Sequence, residues 1–222
     1  FNIDGYRLDL SKGLTQKNTL GNVSEWGKYD PSRVAILKRI ADVIWEADPE
    51  AYVILEHFSE NPEESELADY GMMLWGNLRG SFFNTAMGIA SDIKWTHYKA
   101  RGWNENAVVA YMESHDEERI LFEVNDRSQE TYTMQIKRLM QNAVFFFSIP
   151  GPKMIWQFGE FGYDLELNND RLGVKPTKWE YLEDENRLKL FTAVSYTHLR
   201  AHETSLHLVC RLLLEKTHSL DC

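Results

Sequence analysis

Five short apolar runs, separated by stretches with helical spacing, limit the fold of this chain more than any other feature. The runs cover residues 1–10, 51–57, 71–76, 107–116 and 153–160. Ala51-Tyr52-Val53-Ile54-Leu55 is almost wholly apolar, as expected of a parallel strand buried on both faces. Between the first two runs, Asp30-Pro31 opens a helix, with Asp as N-cap and Pro at the first helical position. Val34, Leu37, Ile40, Ala41, Ile44 and Trp45 then recur at helical spacing until Pro49. Asn61-Pro62 starts a short helix reaching Leu67, and a helix or irregular stretch covers residues 84–92. A long amphipathic helix spans residues 128–147 and is closed by Pro150-Gly151-Pro152. A last helix begins at Asp184. The alternation predicts an α/β chain with a parallel sheet. Five strands are too few to close an eight-stranded barrel, which takes about 250 residues. The choice is between part of such a barrel and an open doubly wound sheet. Neither G-x-G-x-x-G nor G-x-x-x-x-G-K-[ST] occurs, which argues against a nucleotide-binding sheet.

Three of the runs finish on a carboxylate. Asp9 ends the first, Glu56 the second and Asp116 the fourth. In β/α barrels the C-terminal ends of the strands carry the active site. A charged side chain there is costly to bury unpaired, so three at one face imply a shared polar pocket. The alternative for each is a structural cap on the following loop. Arg7 and Asp9 alternate along one strand and therefore point the same way. A neighbouring guanidinium orients a carboxylate and keeps it ionised, as a nucleophile requires.

Local context makes the signal sharper. Asp4-Gly5-Tyr6-Arg7-Leu8-Asp9-Leu10-Ser11-Lys12-Gly13 resembles the α-amylase family motif in which Arg and Asp alternate. Val53-Ile54-Leu55-Glu56-His57 is similar to that family's acid/base strand, and Tyr111-Met112-Glu113-Ser114-His115-Asp116 to the motif ending in His-Asp. Residues 154–162 resemble its last barrel strand and loop. The three motifs occur in family order. The resemblance implies a partial (β/α)8 TIM barrel, about strands 4 to 8 with their helices, occupying residues 1–193. It further implies a retaining glycoside hydrolase acting on α-linked glucans such as starch or maltooligosaccharides. In it Asp9 is the nucleophile, Glu56 the acid and then the base, and Asp116 the stabiliser of the oxocarbenium-like transition state. Glu56 must carry a proton when it acts as acid, and Asp9 must be ionised. Arg7 orients Asp9, while His115 and Lys12 join the substrate-binding residues. His57 lies near the acceptor sugar or is a structural histidine. A glucanotransferase or branching enzyme shares these motifs, since only the acceptor differs. A catalytically silent carbohydrate-binding or transporter-associated relative is the reading from another class. An Mg²⁺-dependent barrel fits less well, because an Arg7–Asp9 pair suits a nucleophile better than a metal ligand.

The chain departs from the family where Gly13 follows Lys12 in place of the usual His, which puts an acceptor subsite and a calcium contact in doubt. No cofactor is assigned, no metal ligand is named, and calcium remains an expectation for a full-length parent only. Glu113 is read as a loop residue supporting its neighbours, residues 117–119 as a solvated turn, and Glu160 as structural. Tyr6, Trp75 and Trp156 are sugar platforms or core. A net charge of −10 argues against a nucleic-acid partner. No apolar run approaches the roughly 18 residues of a membrane span.

From Val194 the composition changes. Residues 194–222 hold both cysteines, Cys210 and Cys222, and four of the seven histidines. This stretch resembles translated sequencing-adapter read-through and is read as a non-native tail. The alternative is an amphipathic helix through Leu206, Val209 and Leu213. Phe1 stands where an initiator Met is absent, so upstream strands and an early motif are expected in a longer parent, with the compartment open and secreted or periplasmic settings included. The fragment itself is expected to be inactive.

Overall fold

The computed structural model describes residues 3–166 and 173–201, with side chains described up to Thr197. In chain order the regular elements are β1 (Gly5–Leu8), α1 (Pro31–Ala47), β2 (Tyr52–Leu55), α2 (Asn61–Asp69), β3 (Met73–Asn77), α3 (Arg79–Ala86), α4 (Tyr98–Arg101), β4 (Val108–Tyr111), α5 (Ile120–Arg127), α6 (Tyr132–Ser148), β5 (Lys153–Met154) and α7 (Glu185–Ala201). Short 3-10 turns punctuate the loops.

The five strands form one sheet in the order β1-β2-β3-β4-β5. β1 pairs with β2 in parallel from Gly5↔Tyr52 to Leu8↔Leu55, and β2 with β3 from Ile54↔Met73 to Leu55↔Leu74. The Leu74 N–H donates to Ala107 O at 2.7 Å, and Ala110 N–H to Pro152 O at 3.0 Å, carrying the ladder on to β4 and β5. Spatial order equals chain order, and at least one helix separates each pair of strands. Crossovers between parallel strands share one hand, so an order without reversal winds in a single direction. A doubly wound sheet needs a switch point where the order reverses, and this sheet has none. The fold is a partial (β/α)8 barrel.

The chain divides into two compact units. The first gathers the residues up to Gly76 with Lys94–Ala110 and Pro150–Lys153. Its core sets Val34, Leu37 and Ala41 of α1 and Leu67 of α2 among Val53, Leu55 and Leu74 of the strands, all buried. α1 starts as its sequence dictates, with Asp30 Oδ1 accepting from Ser32 N–H at 3.0 Å and Pro31 in the first turn. At Gly5 a Cβ would collide with Tyr52 O, so the close approach of β1 to β2 requires glycine.

The second unit comprises Asn77–Ile93, Tyr111–Ile149 and the residues from Met154 onward. Its core packs Phe82 of α3 edge-on to Phe146 of α6 at 5.8 Å, with Leu121, Val124, Ile136 and Ala143 around them. Asn142 is buried between the helices. It donates to Phe82 O at 2.8 Å and accepts from Thr85 Oγ1 at 2.6 Å, which makes its burial tolerable.

Several boundaries differ from expectation. The helix foreseen at residues 84–92 is α3, which begins at Arg79. Leu78, Phe82 and Ala86 supply its buried stripe at four-residue spacing. The helix foreseen at 128–147 begins at Tyr132, where Thr131 accepts from Met134 N–H, and α5 is a separate element ahead of it. Arg119 is not part of a solvated turn; its side chain is buried. β5 is two residues long, shorter than the strand expected over 153–160; past Met154 the chain leaves the ladder, Phe158 adopts φ 58 and a 3-10 turn covers Gly159–Phe161. α7 carries Val194 and Thr197 on its buried side. Residues 202–222, with Leu206, Val209, Leu213 and both cysteines, lie outside the described residues.

Candidate active site

β1 and β2 end together. Leu8 and Leu55 are their last paired residues, so Asp9 and Glu56 are each the next residue along neighbouring parallel strands. Such strands run about 4.8 Å apart, and the two carboxylates emerge side by side. Arg7 stands one pleat below, on the same face as Asp9. Its Nη1 lies 2.9 Å from Asp9 Oδ1 and its Nη2 3.1 Å from Glu56 Oε2. One guanidinium therefore faces both acids, and it also lies 4.9 Å from the centre of the Trp75 ring on β3. The Asp9 side chain is 75% exposed and that of Glu56 14%. Asp9 is open to a ligand, while Glu56 sits deeper.

The backbone past Asp9 turns sharply. Leu10 takes left-handed angles, φ 39 and ψ 46, and its N–H donates to Glu56 Oε2 at 2.8 Å. Ser11 N–H donates to Glu56 O at 2.9 Å. The loop after the first acid is thereby fastened to the second. Lys12 Nζ donates to Phe58 O at 3.3 Å, tying the same loop to the segment beyond β2.

His57 points away from the two acids. It is 0% exposed, with Nδ1 at 2.8 Å from Ser11 Oγ and Nε2 at 2.6 Å from Glu63 Oε1. With both ring nitrogens occupied inside the protein, the placement beside an acceptor sugar gives way to the structural alternative. Glu63 also receives Arg33, through Nε at 2.6 Å and Nη2 at 2.7 Å, and the Asp30 N–H at 2.7 Å. Burial alone would raise the Glu63 carboxyl. Hydrogen bonds from His57 and Arg33, the Asp30 N–H and the charge of Arg33 outweigh it and hold the group below its ordinary value. Ser11, Arg33 and Glu63 were not singled out from the sequence. No local motif marks them: Ser11 lies 46 residues from His57 and Arg33 30 from Glu63, and although Glu63 follows His57 by only six residues, a His and a Glu at that spacing form no recognisable pattern.

Asp116 and His115 belong to the second unit, on the segment past β4. His115 Nε2 lies 3.3 Å from Asp116 Oδ2, and its ring packs 5.7 Å from that of Trp156. Both side chains are more than two-fifths exposed. Asp116 N–H donates to Ser114 Oγ at 3.2 Å, which fixes the turn. Below them Glu113 is buried against Arg119, with Arg119 Nη1 at 3.0 Å from Oε2 and the Ile120 N–H donating to Oε1 at 2.8 Å. Burial pushes the Glu113 carboxyl up, while the Arg119 charge and the Ile120 N–H pull against it. The segment that presents His115 and Asp116 is thus anchored from inside, and Arg119 also donates to Gln157 O. Tyr6 is half-exposed, and Trp75 and Trp156 are partly buried.

Among the described residues, no group of three or more His, Cys, Asp or Glu is placed to hold a metal ion. Among the same residues no helix is long and apolar enough to cross a membrane.

No protein-family model matches the chain. Two curated proteins of Xanthomonas campestris pv. campestris, both 1,4-alpha-glucan branching enzyme GlgB 1, are 25% identical to it over 230 residues, covering 93% of this chain. The chain spans 30% of their length. Among solved structures, the type III pullulan hydrolase from Thermococcus kodakarensis superposes with a TM-score of 0.62 at 16% identity, over 90% of this chain and 33% of that one. Amy13B of Eubacterium rectale gives 0.61 at 12% identity, over 90% and 43%. A cyclomaltodextrinase gives 0.57 at 15%, over 89% and 30%. At these identities the structures establish the fold alone.

Proposed function

We propose that this chain, α-amylase-like in its motifs, its curated relatives and its fold, carries the reacting carboxylates of an enzyme that cleaves α-linked glucans with retention. Asp9 attacks the anomeric carbon and forms a covalent glycosyl-enzyme as the glycosidic C–O bond breaks. Glu56 gives its proton to the departing sugar oxygen. It then takes a proton from the incoming acceptor, whose oxygen displaces Asp9. The motif resemblance assigns to Asp116 the stabilisation of positive charge in the transition state and to His115 the binding of sugar hydroxyls.

The observation that carries this reading is the guanidinium of Arg7 set between Asp9 and Glu56 at two adjacent strand ends. Retaining enzymes hold their two carboxyl groups about 5–5.5 Å apart, whereas inverting enzymes leave about 6.5–9.5 Å for a water. Side chains emerging in register from neighbouring strands and sharing one cation suit the shorter spacing. The exposure of Asp9 and the deeper seat of Glu56 support nucleophile and proton donor respectively.

Transfer to a second glucan is the alternative to hydrolysis, and the curated relatives favour it, since both are branching enzymes. Incubating the full-length protein that carries this chain with amylose separates the two outcomes. New reducing ends without new branch linkages mean hydrolysis. Proton signals of α-1,6 branches with no net gain of reducing ends mean transfer. Absence of both would remove the proposal.

A further inference from the structure

We propose that the buried chain Arg33–Glu63–His57–Ser11 is the positioning device for Glu56, which makes His57 and Ser11 positioning residues. The inference rests on the reading of Glu56 as acid and base. Four elements contribute, and each contact lies within the first unit. Arg33 comes from α1, Glu63 from α2, His57 from the end of β2 and Ser11 from the turn after β1. All four side chains are buried.

The order of bonds gives the chain a direction. Arg33 grips Glu63 with two nitrogens and spends its remaining donors on the carbonyls of Lys12 at 2.8 Å, Trp26 at 2.9 Å and Lys28 at 3.0 Å. Glu63 then meets His57 Nε2. A carboxylate held by a guanidinium only accepts, so Nε2 carries the proton. His57 Nδ1 meets Ser11 Oγ, and that hydroxyl also lies 3.0 Å from Glu56 O. Ser11 thus holds the Glu56 backbone through its N–H, and its hydroxyl is set between His57 Nδ1 and Glu56 O, with its single proton available to either acceptor.

A second feature points the same way. Leu10, the residue after Asp9, has φ 39, and Phe58, two past Glu56, has φ 50. Side chains with a Cβ rarely adopt this left-handed region, and such residues persist where surrounding bonds over-determine them. Here the bonds are those of the chain on one side, with Lys12 Nζ to Phe58 O and the Leu10 N–H to Glu56 Oε2 on the other. The two strained corners flank the two acids, and the buried chain runs beneath both. Ser11 and His57 touch no reacting atom; they act by keeping the Glu56 carboxyl where the leaving oxygen departs.

The test uses two substrates in the intact protein. A maltooligosaccharide needs a proton on its leaving oxygen, whereas α-glucosyl fluoride needs little acid help. The kcat/KM value reports the step that forms the glycosyl-enzyme, in which Glu56 is the acid. Ser11→Ala and His57→Gln are expected to lower kcat/KM for the maltooligosaccharide by about 10–100-fold, and for the fluoride by less than about threefold. His57→Asn, which keeps a polar group near the Nδ1 position, is expected to recover part of the loss. Equal losses on both substrates, or none on either, would overturn the proposal. Circular dichroism checks folding, and if the His57 variants fail to fold, Ser11→Ala decides alone. Should the unaltered protein turn over neither substrate, the reading of Glu56 falls first and the positioning role with it.

Discussion

Asp9 projects from the end of a strand into open space, held on one side by Arg7 Nη1. Its side chain is 75% exposed, so Asp9→Asn is expected to change unfolding free energy by no more than about 0.5 kcal/mol. The same change removes the proposed nucleophile and is expected to cut kcat by about 10³-fold or more. Turnover assays and urea melts on one preparation check both, and substantial turnover at unchanged fold would dismiss Asp9 as nucleophile. Arg7 is a different case. Its planar fork meets two acids and a Trp face together, which a point-charged ammonium cannot do. Arg7→Lys is expected to cost about 10–100-fold in kcat with the charge retained. A loss of less than threefold would show that charge alone suffices. At this scale the strand-end positions of Asp9 and Glu56 and the shared face of Arg7 and Asp9 were legible in the sequence, because a two-residue alternation and a strand end are local facts. It was mute about Ser11 and left two readings of His57 open. A histidine beside a candidate acid invites a role at the substrate, and only the fold reveals Glu63 on its far side.

Elements differ in how much of them a sequence displays. α1 was legible at both ends because its signals are local, with Asp30 and Pro31 at the start and Pro49 past the end. α5 and the short α4 were not, since their lengths of eight and four residues give periodicity little room to repeat. Arg119 was read as solvated from its charged neighbours Glu117 and Glu118, yet the carboxylate that buries it, Glu113, lies six residues back. The joint between α1 and α2 supports a prediction of its own. Arg33 and Glu63 form a fully buried pair, and breaking one partner leaves the other charge without compensation. Glu63→Gln is therefore expected to destabilise the protein by about 3 kcal/mol, read from urea unfolding at neutral pH. The acid dependence has a definite sign. The folded-state pKa of Glu63 is lowered from 4.5, and that of Asp30 is lowered from 3.8 to about 2. In both, burial opposes the shift. Hydrogen bonds to Glu63 from His57 and Arg33, and to Asp30 from Ser32 and Thr15, outweigh it. Groups depressed in this way stabilise the fold above their unfolded values, and that stability is lost as pH falls through the folded ones. Unfolding free energy should hold steady down to about pH 5 and then decline towards pH 2. Glu63→Gln should flatten the upper part of that decline, and an unchanged slope would show that Glu63 carries none of it.

At the scale of the whole molecule, the sheet order carries the argument from fold to chemistry. The alternation of apolar runs with helical spacing pointed to the α/β class but left open a reversal of strand order, which no residue pattern encodes. The order β1 to β5 without reversal closes that question, and it makes β1 and β2 neighbours with their C-terminal ends at one edge. The stereochemistry of the reaction should follow from this adjacency. On the proposed reading, acids on neighbouring strands that share one guanidinium sit too close to admit a water between Asp9 and the anomeric carbon, and the carboxylate itself attacks. Displacement twice at one carbon returns the original configuration. An α-linked maltooligosaccharide should therefore release product whose first detectable anomer is α, decaying to the equilibrium mixture by mutarotation. Proton NMR in the first minutes of reaction with the intact protein resolves the two anomeric signals. A transferase outcome keeps the same prediction, because the new bond is formed from the same glycosyl-enzyme and must again be α. If the β-anomer came first, water would have entered from the face opposite the leaving group, Asp9 would be a base in place of a nucleophile, and its separation from Glu56 would have to exceed what two adjacent strand ends provide.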